Sequence, residues 1–187
     1  MKKIVLFGDS LFNGFRNHRN TSVITNGLQK RLGNYAQVEN FSKSGATTVE
    51  GLDYLLQLKT NYDLIVIEYG TNDSTLWGIT PESYAQNLQK MIDLCLNKKI
   101  IIVGPWKPCP NSKQVYNFIP ENHKKIHSFA RKIAQKNNLP FIDLWKLTNG
   151  VKNVDNLYQP DGLHLTDLGN EQLLDLITPV IKQNLLT

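Results

Sequence analysis

Hydrophobic positions in this chain fall into two alternating patterns. Ile4-Val5-Leu6-Phe7, Leu64-Ile65-Val66-Ile67 and Ile100-Ile101-Ile102-Val103 are short runs with no polar residue inside them. Strands covered on both faces read this way, whereas half-exposed strands alternate apolar and polar residues. Between the runs, apolar residues recur every three to four positions, the period of a helix with one buried face. The pattern predicts strands near residues 4–7, 37–41, 64–69, 100–103 and 141–142. It predicts helices near residues 22–32, 49–58, 82–96, 121–137 and 167–185.

Boundary residues agree with these elements. Thr80-Pro81-Glu82 places a cap, a first-turn proline and an acid at one helix start, and Pro120-Glu121 repeats the last two. Gly33 and Asn137-Asn138 suit helix ends. Pro179 is expected to kink or interrupt the last helix. Strands that alternate with helices imply a parallel sheet with helices on both faces. The expected fold is α/β: a three-layer, flavodoxin-like α/β/α sandwich on a five-stranded parallel sheet of order 2-1-3-4-5. In such a sheet the site lies beyond the carboxyl ends of the strands, here between strands one and three.

Composition adds little to this picture. The 187 residues fit one domain, 1–187, and a chain of this size buries about 70% of its unfolded surface. It is 41% hydrophobic and 20% charged, and its net charge of +5 reads as a solvated basic surface. There is no RNP-like motif, zinc finger or dense Lys/Arg block, so no nucleic-acid partner is expected. No stretch approaches the roughly 20 apolar residues that span a membrane. The apolar run after Lys2-Lys3 ends after four residues with no cleavage site, so a cytoplasmic protein is expected, unless a signal peptide has been removed. Cys95 lies on a helical apolar stripe and is expected in the core; Cys109, in a Pro-rich loop, is expected at the surface. No metal-ligand spacing links the two, and no metal or cofactor is expected.

Candidate chemistry gathers after the first three strands. Gly8-Asp9-Ser10 follows the first, Ser42-Lys43-Ser44-Gly45-Ala46-Thr47 the second, and Gly70-Thr71-Asn72-Asp73 the third. In the order 2-1-3, with strands about 4.8 Å apart, these ends fall within roughly 10 Å. Ser10 Oγ is a candidate nucleophile. The Ser10 and Gly45 backbone N–H groups and the Asn72 amide are candidate oxyanion donors. In Asp161-Gly162-Leu163-His164, the imidazole is a candidate base and the carboxylate its orienter. The 20 residues from Leu144 to Leu163, at up to roughly 3.3 Å each, let this pair return from strand five.

Gly8-Asp9-Ser10-Leu11, Gly45 with its neighbours, Gly70-Thr71-Asn72-Asp73 and Asp161-Gly162-Leu163-His164 together resemble the ordered blocks of the GDSL, or SGNH, hydrolases. The resemblance implies a metal-free serine esterase or lipase-like hydrolase acting through an acyl-serine. In it Ser10, His164 and Asp161 form the triad, and Ser10, Gly45 and Asn72 the oxyanion hole. Its expected partner is a small-molecule ester, such as a small or polar acyl ester, an O-acetyl sugar or a short-chain lipid. An acyltransferase on the same site and a non-catalytic flavodoxin-like binding module are the alternatives.

Lys43, Trp77, Trp106 and Tyr158 are candidate substrate contacts, the first departing from the small or apolar residue of many members. The Pro-rich loop 105–120, with Trp106, Tyr116 and Phe118, reads either as a substrate wall or as a packed surface loop. His123 and His127 have metal-ligand spacing but no third ligand, and read as a solvated helix face. Asp9 and Asp73 read as structural loop residues. His18, in the basic loop 16–20, reads either as a substrate contact or as solvated.

Overall fold

A computed structural model describes residues 1–186 except Thr60, Leu96 and Tyr116. Its elements are β1 (Lys2–Gly8), α1 (Val23–Leu32), β2 (Ala36–Asn40), α2 (Thr48–Gln57), β3 (Leu64–Glu68), α3 (Pro81–Leu94), β4 (Lys99–Val103), α4 (Pro120–Lys136), β5 (Phe141–Ile142) and α5 (Asp167–Leu186). Tyr116 and the last residue of the expected 82–96 helix lie outside the described residues.

The sheet has the order β2-β1-β3-β4-β5 and every pairing is parallel. The register brings the carboxyl ends level: Leu6 pairs with Asn40, Gly8 with Glu68, and Glu68 with Val103. Alternation along the central strands explains the two cores. Ile4, Leu6, Val66 and Ile101 face one way and pack with Leu28, Leu173 and Ile177 of α1 and α5. Val5, Phe7, Ile65 and Ile102 face the other way and pack with Leu55, Leu88, Met91 and Ile126 of α2, α3 and α4. Burying each such side chain stabilises the fold by about 1.5–3 kcal/mol, which is why both faces need a helical layer.

Local chemistry fixes the helices beside the rim. Thr47 and Glu50 form a reciprocal capping box at the start of α2, directly after Gly45-Ala46. Thr80 caps α3, with Pro81 in the first turn. Of the kink or interruption expected at Pro179, the interruption does not occur, and α5 runs through the proline. The proline removes one amide donor, but Leu173, Leu174, Ile177 and Ile181 anchor the helix on both sides of it. β5 is only two residues long, and the chain beyond it, up to α5, holds nothing more regular than two short 3₁₀ turns. The second half of the site sits on that irregular stretch.

Candidate active site

Gly8 ends β1 where the chain passes tightly against β3: a Cβ there would lie 2.4 Å from the Glu68 carbonyl oxygen. Asp9 then turns the backbone, its Oδ1 accepting the Leu11 N–H at 2.9 Å. Phe15 N–H returns to the Ser10 carbonyl at 3.1 Å and closes the loop. These bonds hold the Ser10 hydroxyl at the rim rather than in the core.

The histidine arrives on a hairpin-like strap. Asp161 Oδ1 accepts the N–H groups of Leu163 and His164, both at 2.9 Å, and so builds a turn that folds the carboxylate back on the imidazole. Gly162 sits in that turn at φ +71°, where a side chain would be strained and would also strike Ser112. Asp161 Oδ2 lies 2.7 Å from His164 Nδ1, and His164 Nε2 lies 3.1 Å from Ser10 Oγ. An ionised carboxylate only accepts, so Nδ1 carries the proton and Nε2 turns a lone pair to the hydroxyl. Burial works against the charged Asp161, but the hydrogen bonds from His164 and from the Leu163 and His164 backbone outweigh it and hold its pKa below the ordinary value.

The three candidate oxyanion donors differ. Gly45 takes φ +82° with open space where a Cβ would stand. Among the described residues nothing accepts from the backbone N–H of Ser10 or of Gly45. The Asn72 amide is already committed, with Nδ2 3.0 Å from both Asp9 Oδ2 and the Ala46 carbonyl.

Beneath the rim lie three buried carboxyl groups. Burial pushes the Asp9 pKa up to about 7, against hydrogen bonds from Leu11 N–H and Glu68 that lower it. Glu68 is raised well above its ordinary value, by burial first and by the neighbouring Asp9 charge second. Burial raises Asp73 to about 6, although Thr48 donates to it through both its N–H and its hydroxyl. Among the described residues, Glu68 Oε1, Asp73 Oδ2 and the Tyr69 hydroxyl find no hydrogen-bond partner. Glu68 was not anticipated as part of the site, although an acid ending the all-apolar run 64–67 was its signal.

The candidate substrate contacts separate. Trp77 is 76% exposed beside the Asn72 turn, and the Lys43 ammonium lies over the Tyr54 ring and bonds its hydroxyl. Trp106 and Tyr158 are buried and stack on each other with centroids 5.3 Å apart. The Trp106 indole N–H donates to the Leu163 carbonyl at 2.8 Å, and the Tyr158 hydroxyl to the Lys107 carbonyl at 2.7 Å. Trp106 also lines, with Ser10, Phe15 and His164, a cavity of about 10 Å³, room for a single water. His18 is exposed, on a tight turn at φ +60°.

Two expectations are corrected. His123 and His127 are buried rather than solvated, because α4 packs that face on the segment after β5. They stack on Trp145 and lie 3.0 and 2.9 Å from the Trp106 carbonyl and Asp143 Oδ1 respectively. Burial lowers the His123 pKa to about 4. Among the described residues no group of three or more His, Cys, Asp or Glu is placed to hold a metal ion. Cys109 is also buried: its N–H donates to the Gly162 carbonyl and its thiol to Asp155, which tethers the loop after β4 to the histidine strap. Another unanticipated contact is Phe15, whose ring centroid lies 4.5 Å from that of His164.

A three-layer α/β fold with candidate chemistry at the switch point of its sheet defines the class as flavodoxin-like α/β. Residues 6–172 match the GDSL-like Lipase/Acylhydrolase family, and the chain belongs to that family. Esterase TesA of Pseudomonas aeruginosa is 30% identical over 165 residues, which are 83% of this chain and 76% of that protein. The crystal structure of the lipase/acylhydrolase from Enterococcus faecalis aligns with a TM-score of 0.89 and 31% identity, over 98% of this chain and 96% of that one. Est24, a carbohydrate acetylesterase from Sinorhizobium meliloti, shares the fold at a TM-score of 0.79 and 20% identity, over 98% and 99% of the two chains. Among the described residues no helix is long and apolar enough to cross a membrane.

Proposed function

We propose that this chain hydrolyses carboxylic esters through an acyl-serine formed on Ser10, with His164 as base and Asp161 as its orienter. The observation that carries the proposal is the hydrogen-bonded series from Asp161 through the imidazole to the Ser10 hydroxyl. His164 Nε2 takes the hydroxyl proton as Ser10 Oγ attacks the ester carbonyl, and gives it to the departing alcohol. Water then attacks the acyl-serine, with the same nitrogen as base, and releases the acid. The growing imidazolium faces Asp161, whose lowered pKa keeps it anionic throughout.

The N–H groups of Ser10 and Gly45, unpaired among the described residues, support an oxyanion site of two backbone donors. Each is worth about 3–4 kcal/mol to the transition state. Asn72 joins as a third donor by turning one amide proton from Asp9 or Ala46 toward the oxyanion. The substrate class assigned is an ester with a small acyl group, because the cavity that Ser10 and His164 line is only about 10 Å³. The names of the esterase relatives are consistent with this class.

Ser10→Ala should abolish cleavage of p-nitrophenyl acetate while leaving the melting temperature within a few degrees of wild type. Substantial turnover by a folded Ser10→Ala protein overturns the assignment. His164→Ala should lower the rate by about 10²–10⁴-fold, and a folded variant within a few-fold of wild type removes His164 as base.

A further inference from the structure

We propose that Gln159 is a positioning residue, clamping the strap that carries His164 to the loop that carries Ser10. The inference rests on the Ser10–His164 reading above and goes beyond it, since Gln159 touches neither reacting group through its side chain. What it touches is the frame around them. Its Nε2 donates to the Phe15 carbonyl at 2.8 Å and to the Leu165 carbonyl at 2.9 Å, which uses both amide protons. Its Oε1 accepts the Asn17 N–H at 3.3 Å. Its own backbone N–H donates to the His164 carbonyl at 2.7 Å, and its carbonyl accepts the Gly162 N–H at 2.9 Å.

One half-buried side chain therefore joins residues some 144 positions apart. The two backbone bonds and the side-chain bond to Leu165 close the hairpin around Asp161–His164, while the side-chain bonds to Phe15 and Asn17 fasten that hairpin to the segment just beyond Ser10. Phe15, held by its carbonyl to Gln159 and by its N–H to the Ser10 carbonyl, sets its ring against the imidazole. On the far side, Trp106 and Cys109 hold the carbonyls of Leu163 and Gly162. Gln159 supplies the side-chain amide that ties this pinned strap to the nucleophile loop; Arg16 and Asp167 add an exposed ion pair between the same segments. Exposed ion pairs of this kind contribute little.

Such a clamp matters because the strap has no regular structure to hold it, and His164 must stay within about 3 Å of Ser10. A displacement of about 1 Å at a reacting pair typically costs on the order of 100-fold in rate.

The test uses Gln159→Met, which keeps length and volume but removes all three side-chain bonds, and Gln159→Glu, which keeps the shape but leaves an acceptor facing two carbonyls. For each, kcat and KM for p-nitrophenyl acetate are measured per folded protein, together with the rate of Ser10 labelling by a fluorophosphonate. Both variants should lose on the order of 100-fold in kcat and in labelling rate, with KM within about threefold of wild type. Purely structural damage would lower the melting temperature and the folded yield but leave both rates per folded molecule intact. Gln159→Met or Gln159→Glu within twofold of wild type in kcat overturns the proposal. Ser10→Ala run in parallel separates the levels: a dead Ser10→Ala with an unimpaired Gln159→Met removes the clamp alone, and an active Ser10→Ala removes the reading beneath it.

Discussion

Asp9 shows how much a single side chain carries in this site. It neighbours Ser10 in sequence, braces the Leu11 N–H, holds the Asn72 amide and lies against Glu68. Its folded pKa of about 7 stands above the ordinary 3.8, so folding binds a proton between those values. That contribution to stability is fully present below the lower value and is lost as pH rises through the upper one. Glu68 and Asp73 are shifted in the same direction. Asp161, Asp143 and Asp63 are lowered, so their contributions are present above the ordinary value and are lost as acid is added. Glu68→Gln keeps the size and removes one of the titrating buried groups. Its melting temperature should therefore fall less than that of wild type between about pH 5 and 8, with activity kept within a few-fold. Curves that stay parallel across that range contradict the buried-carboxyl account.

The elements divide by how they meet the site. β1 and β3, and the capped start of α2, deliver their residues from the ends of regular structure, and their sequences said so. Continuous apolar runs ended at Gly8-Asp9-Ser10 and near Asn72-Asp73, and the helical pattern of residues 49–58 placed the start of α2. Removing the cap by Thr47→Ala should lower stability by about 1 kcal/mol in chemical denaturation, because one N-terminal donor loses its acceptor. No change in denaturation midpoint would mean the box contributes nothing. The strap from Asp143 to Thr166 behaves differently. Its motif was legible as residue types, but its partners were not, because nothing periodic announces a contact such as Trp106 N–H to the Leu163 carbonyl. For the same reason the packing of Trp106 and Tyr158 on each other was not legible, and Cys109 read as exposed. His123 and His127 misled differently: their flanking lysines pointed to solvent, while the two imidazoles face Trp145. Trp106→Phe keeps the ring and leaves the Leu163 carbonyl without its donor. It should reduce kcat more than KM for p-nitrophenyl acetate, and equal changes in both would argue against a role in holding the strap.

At the scale of the whole molecule, the sheet order does the assembling. The proposed nucleophile, oxyanion donors and base come from residues 8–10, 45, 72 and 161–164, and the arrangement β2-β1-β3 makes the first three neighbours. The core that holds this arrangement lies away from the chemistry. Ile102→Ala, in the fully buried middle of β4, should therefore cost about 2–5 kcal/mol of stability, read from the denaturation midpoint. Turnover per folded molecule at low temperature should be unchanged. A large fall in that turnover would mean the sheet tunes the site as well as supporting it.

The most direct test of the account is where a fluorophosphonate lands. Treated to completion and mapped by peptide mass spectrometry, the enzyme should carry one adduct, on Ser10, with esterase activity lost in proportion to labelling. It should label far more slowly in His164→Ala. An adduct on another residue that accompanies the loss of activity, or full activity in protein labelled at Ser10, would contradict the assignment of that hydroxyl as the attacking group.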